Sequence, residues 1–229
     1  MSSAPAPGPQ LARGQLASRT VRTLSRGGWA NPDVLLVRAG SGYTVVKDYA
    51  PRRAWVRSTI GRWLQRREQR AYRILRDLPA VPRYLGRIDV HAFALEYRPG
   101  ERLSREIARR TPESFLAELR EAVGAMHARG VVHLDLRHRS NILAGDDGHP
   151  VLIDFASALC FRPAGPWPRW LQPCLAWIDR RALGKWASRW AQEPSPGGAA
   201  SAADAFSTPA SDASRETTSA GSRGASRPM

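Results

Sequence analysis

Lysine is nearly missing from this chain. Of 35 basic residues only Lys47 and Lys185 are lysine, so arginine carries the formal charge of +15. Cysteine is as scarce. Cys160 and Cys174 are the whole supply, too few for a disulfide framework and in no spacing that ligates a metal. No run of about 18 apolar residues occurs, which excludes a membrane-spanning helix. Arg13 and Arg19 are not followed by an apolar segment, so no secretory leader is expected and a cytoplasmic protein is. A Gly-x-Gly-x-x-Gly loop is also lacking; Arg26-Gly27-Gly28 is its poor substitute.

What is present points to an anionic partner: a phosphate-bearing substrate, an anionic membrane face or nucleic acid. Nucleic acid is the weakest of these. The arginines are spread over several elements and no nucleic-acid motif accompanies them. The 229 residues suffice for one domain with a sizeable core. Residues 1–20 and 193–229 are rich in Ser, Ala, Pro and Gly and are expected to be disordered tails. Between 160 and 190, Trp167, Trp170, Trp177, Trp186 and Trp190 alternate with arginines. That mixture suits peripheral contact with a membrane. It equally suits a terminal helix pair packing its tryptophans onto the domain.

In order along the chain, residues 21–24 read as a strand. Residues 34–38 (VLLVR) and 43–49 (YTVVKDY) form a hairpin about Ala39-Gly40-Ser41-Gly42. Lys47 sits on the second of these strands. A compact ammonium suits a place between phosphate oxygens and a carboxylate better than a planar guanidinium does. A basic helix is predicted over 59–77, with Leu64, Glu68, Ala71, Tyr72 and Leu75 on one face. Glu68 therefore lies on an apolar stripe and needs a cation; Lys47 is the candidate, with Arg67 or Arg70 as the surface alternative. Residues 82–90 and 93–97 (FALEY) read as two more strands, the second breaking at Arg98-Pro99-Gly100. Thr111 reads as an N-cap with Pro112 behind it, opening a helix that stops at Gly130.

Residues 130–158, GVVHLDLRHRSNILAGDDGHPVLIDFASA, concentrate the chemistry. Apolar runs flank His133-Leu134-Asp135 and Asn141. A turn at Asp146-Asp147-Gly148 predicts a hairpin that gathers Asp135, Asn141 and Asp154 at one end. Two carboxylates and an amide oxygen are hard ligands suited to Mg²⁺ and to the phosphates it carries.

With Lys47, Glu68, Asp135, Asn141 and Asp154 in this order, the chain resembles the protein-kinase-like superfamily over residues 34–158. It is most similar to the bacterial lipopolysaccharide core kinases, acting on heptose or 3-deoxy-D-manno-octulosonic acid, and to the RIO-type kinases. The resemblance implies an α+β, two-lobed fold. A small β-rich lobe with one αC-type helix spans 21–97, and a compact helical lobe spans 98–192. It implies an ATP- and Mg²⁺-dependent kinase that phosphorylates a hydroxyl of a glycolipid sugar, or of a protein. Asp135 would orient or deprotonate that hydroxyl and Arg137 would neutralise the transferred phosphate. Lys47, held by Glu68, would contact the other phosphates. Asn141 and Asp154 would hold the metal, and Glu96 and Tyr97 would meet the adenine edge. His133 would be structural.

The departures are specific. Leu134 stands where an arginine is usual, which implies no control by a phosphorylated loop. Asn141 lies one residue further from Asp135 than the common spacing, so residues 137–140 must bulge if it is a ligand. Ala156 follows Asp154-Phe155 in place of glycine. No Ala-Pro-Glu segment follows, which favours a glycolipid or small-molecule acceptor. These departures, with the missing glycine loop, also admit a pseudokinase that serves as a binding module at a membrane.

Overall fold

The computed structural model describes residues 11–161, 167–168 and 170–191. Its first layer is an antiparallel sheet. β1 (Thr20–Ser25), β2 (Asp33–Ala39), β3 (Gly42–Asp48), β4 (Tyr84–Arg87) and β5 (Ala92–Glu96) lie in the order β1-β2-β3-β5-β4. Ala39 pairs with Gly42 across the β2–β3 turn, and Gly40 takes the left-handed φ of +60° that such a turn requires. Alternation along β3 sends Val45 and Lys47 to one face. Val46 goes to the other, where it packs with Val37 and Ala92 against Leu11 and Leu16.

Residues 11–19 therefore correct the expectation of a disordered tail through 20. They form a 3₁₀ turn (Arg13–Gln15) and the short helix α1 (Leu16–Arg19), which cover the sheet. Arg13 fastens this cover, reaching Asp48 and Asp89 at 2.5 Å each. Average composition hid the anchors, because two leucines and one arginine carry the contact. The tails at 1–10 and 193–229, and the side chain of Trp190, lie outside the described residues.

The helix expected over 59–77 is α3 (Ile60–Ile74), and a short helix that was not expected, α2 (Ala54–Ser58), precedes it across Thr59. Ala71, Tyr72 and Leu75 enter the core beside Phe93 and Leu95 of the sheet. The chain continues through β6 (Gly100–Arg102), α4 (Arg105–Arg110) and α5 (Phe115–Ala128). Then come β7 (Val131–Val132), β8 (Ile142–Gly145), β9 (Pro150–Leu152), β10 (Leu159–Cys160) and α6 (Leu171–Ala191). β6, β8 and β9 make a three-stranded sheet, and β7 pairs with β10. This part is thus less purely helical than expected.

Thr111 is not the N-cap of α5. Its hydroxyl donates to the Ala108 carbonyl at the end of α4 (2.7 Å), a helix capped at its start by Ser104. Of the apolar stripe that helical spacing predicts on α5, Leu119, Val123 and Met126 are buried and Leu116 is half-buried. Gly130 ends that helix at φ +76°, where a Cβ would lie 2.3 Å from the Phe161 carbonyl oxygen. In place of a helix pair, the described C-terminal residues form the one helix α6. Trp186 packs into the core, while Trp167, Trp170 and Trp177 are exposed. Among the described residues no helix is long and apolar enough to cross a membrane. The architecture is mixed α+β.

Candidate functional site

β7 delivers the chain into His133 and Leu134, where a buried carboxylate fixes the backbone. Asp179 of α6, fully buried, accepts from the His133 amide (2.8 Å), the Leu134 amide (2.9 Å) and His127 Nε2 (3.0 Å). Those bonds replace the water the carboxylate has lost. They also hold Leu134 at φ +67°, a conformation that costs a non-glycine residue roughly 1–2 kcal/mol. The chain turns sharply there and presents Asp135 at the surface. His133 is structural, as expected. Its Nε2 donates to the Ile153 carbonyl (3.0 Å), its ring packs on Phe155, and burial lowers its pKa, so the ring is neutral.

The extra residue between Asp135 and Asn141 is absorbed by a 3₁₀ turn, Arg139–Asn141. The His138 amide bonds the Asp135 carbonyl and the Asn141 amide bonds the His138 carbonyl. Asn141 Nδ2 then reaches back to the Asp135 carbonyl (3.0 Å) and carboxylate (2.9 Å). The longer spacing thus still joins the two side chains. The β8–β9 hairpin turns at Gly148, φ +83°, and the Ile153 amide bonds the Asn141 carbonyl (3.0 Å). Asp154 comes next, itself at φ +65°. Because the left-handed residue is the aspartate, Ala156 fits without glycine, inside the 3₁₀ turn Phe155–Ser157.

Lys47 meets both remaining carboxylates. Its Nζ lies 2.5 Å from Glu68 Oε1 and 2.8 Å from Asp154 Oδ1. Lys47 and Glu68 are buried. Burial works against the lysine's charge, but the two carboxylates outweigh it and raise its pKa well above the usual value. Burial pushes Glu68 up to about 7 against the pull of Lys47. The charge of Lys47 holds Asp154 below the ordinary carboxylate range.

These groups border a cavity of about 460 Å³ lined by Lys47, Glu96, Tyr97, Asn141 and Asp154 among others. Its apolar lining includes Val34 and Val45 from the sheet and Leu143 from the hairpin, which together suit a flat ring. Glu96 lines the cavity with its amide and carboxylate already bonded to the chain. Its amide already donates to the Arg83 carbonyl (2.9 Å), and its carboxylate accepts from the Arg83 amide (3.0 Å). Tyr97 lines the cavity and packs edge-on against Tyr43. Arg137 is exposed and is not part of the cavity wall. Residues 26–32 join β1 to β2, and the backbone groups of Gly27 and Gly28 are held by side chains outside the loop. The Gly27 amide donates to Asp33, and Arg52 donates to the Gly27 and Gly28 carbonyls.

Among the described residues no cluster of three or more His, Cys, Asp or Glu would hold a metal unaided. The cavity offers the Asp154 carboxylate and the Asn141 amide oxygen instead. Two hard oxygens of this kind would suit Mg²⁺.

Three supporting residues escaped sequence reasoning. Besides Asp179, Tyr72 accepts a hydrogen bond from the Asp154 amide (3.3 Å). Arg67 donates to the Ser157 and Ala158 carbonyls, pinning the chain after Asp154 to α3. The only available signal for Asp179 was its standing as the lone acid of a basic, Trp-rich segment. Neither the protein-family models nor the curated protein sequences contain a match to this chain.

Proposed function

We propose that the chain is a protein-kinase-like phosphotransferase, dependent on ATP and magnesium, that acts on a hydroxyl. The five-stranded sheet with α3 is the small lobe of this reading, and the elements from β6 onward are the large one. The carrying observation is Lys47 held between Glu68 and Asp154 at a cavity that Asn141 shares. Buried lysines with this double pairing are suited to grip phosphate oxygens, and an adenine ring suits the apolar lining. Bound Mg²⁺, on Asp154 and Asn141, would neutralise phosphate charge. Asp135, oriented by Asn141, takes the proton of the acceptor hydroxyl as its oxygen bonds the γ-phosphorus and the bond to ADP breaks. Arg137, exposed two residues past Asp135, would neutralise the transferred phosphate.

The proposed acceptor is a sugar of a lipopolysaccharide-type glycolipid. The described chain holds only the short β10 and α6 after Ser157, little from which to build a peptide platform. ATP with Mg²⁺ should raise the melting temperature, the stabilisation reaching about 2.7 kcal/mol at 100 times Kd. Asp135→Asn should keep that shift and lose transfer. Glycolipid mass profiles of cells with and without the protein should differ by one phosphate. Labelled phosphate appearing on proteins instead would move the acceptor to a RIO-like protein substrate. Absence of any nucleotide shift would leave a pseudokinase binding module.

A further inference from the structure

Six described tryptophans are exposed; besides Trp170 and Trp177, four of them follow one another across the surface. Trp29, Trp55, Trp63 and Trp167 are 61%, 52%, 55% and 40% exposed. They are connected rather than scattered. Trp29 and Trp55 pack edge to face at 5.4 Å between ring centres. Successive backbone bonds, Thr59 amide to Trp55 carbonyl and Trp63 amide to Thr59 carbonyl, place Trp63 two turns further along. Trp63 and Trp167 then line one groove with Arg66, Arg67 and Arg70. The result is a ribbon of indoles crossing the β1–β2 loop, α2, α3 and the segment before α6.

The charge along this ribbon is of one sign. Glu68 is the only acid in α3, and Lys47 holds it on the buried face. Asp33, the acid that closes the loop carrying Trp29, is bonded to Arg52. Arg66 and Arg70 are left with no carboxylate partner among the described residues.

We propose that this ribbon docks the protein on an anionic lipid bilayer. Indoles with exposed edges settle at the boundary between headgroups and acyl chains, where an apolar body and an N–H are both satisfied. Arginines between them meet lipid phosphates. A stacked nucleobase is the poorer occupant, since ring faces are already in use. Trp29 and Trp55 meet edge to face, which takes one ring face, and the Arg67 guanidinium lies 4.9 Å over the Trp63 ring. The surface is independent of the phosphotransfer reading and extends the apolar exposure well beyond the C-terminal tryptophans.

The test uses the full chain with phosphatidylcholine vesicles, with and without phosphatidylglycerol. Flotation with the anionic vesicles only is expected, together with quenching of tryptophan fluorescence by lipids brominated in the acyl chain. Trp55→Ala/Trp63→Ala should weaken binding at least tenfold with an unchanged melting temperature. Arg66→Ser and Arg70→Ser should each weaken it about fivefold. Three results overturn the proposal: equal binding to neutral vesicles, flotation without brominated-lipid quenching, or tighter quenching of the same tryptophans by single-stranded DNA. The quenching is read on the unaltered protein, so a variant that fails to fold does not block the decision.

Discussion

Among single residues, Lys47 and Glu68 decide most. Lys47→Met leaves the fully buried Glu68 without its cation, a loss of about 3–5 kcal/mol. Urea unfolding should show that deficit at pH 8. It should shrink as the pH falls toward 5, because protonating Glu68 then becomes easier. The sign for Glu68 itself comes from its raised pKa of about 7. Between the ordinary carboxylate range and 7 the folded chain holds a proton that the unfolded chain has released. Stability therefore falls as pH rises through that window, by roughly 3 kcal/mol in total. Nucleotide affinity should run the other way, since only the ionised carboxylate holds Lys47 in place. Fold stability and ATP affinity are thus expected to trend oppositely between pH 5 and 8, and Glu68→Gln should flatten both profiles.

Among elements, α6 matters through one residue. Asp179→Ala strands two backbone amides and the His127 ring in the interior, each worth about 1–3 kcal/mol. Asp179→Asn keeps one acceptor and should melt between the parent and the alanine variant. If all three melt alike, Asp179 does not hold the turn at Leu134. The contrast with α3 shows what was legible in the sequence. Glu68 on an apolar stripe announced a buried cation, and Lys47 was nearly the only lysine to supply it. The turns at Gly40, Gly130 and Gly148 announced themselves through glycine. Asp179 did not, because its partners are backbone amides 45 and 46 residues away, and amides leave no mark on a sequence. The 3₁₀ turn that absorbs the long Asp135–Asn141 spacing was hidden for a similar reason. It is made of main-chain bonds that many side chains permit.

Across the whole molecule, the sheet has two faces with different duties. One carries Val45 and Lys47 to the cavity, and the other is roofed by residues 11–19. The roof is tied to β3 at Asp48, the residue after Lys47. Leu16→Ala removes a buried side chain from that roof and should cost about 2–4 kcal/mol. Arg13→Ala acts electrostatically. Burial alone would raise the pKa of Asp89, but its hydrogen bonds from Arg13 hold it below the ordinary range. The stability this contributes is complete above the ordinary carboxylate pKa and is lost as pH falls through the depressed one. The gap between parent and Arg13→Ala in urea melts should therefore be open at pH 7 and close under acid, while ATP still raises the melting temperature of both. If the roof instead governs the site, Arg13→Ala abolishes the nucleotide shift at pH 7. The position of Lys47 then depends on a segment whose composition alone gave no hint of structure.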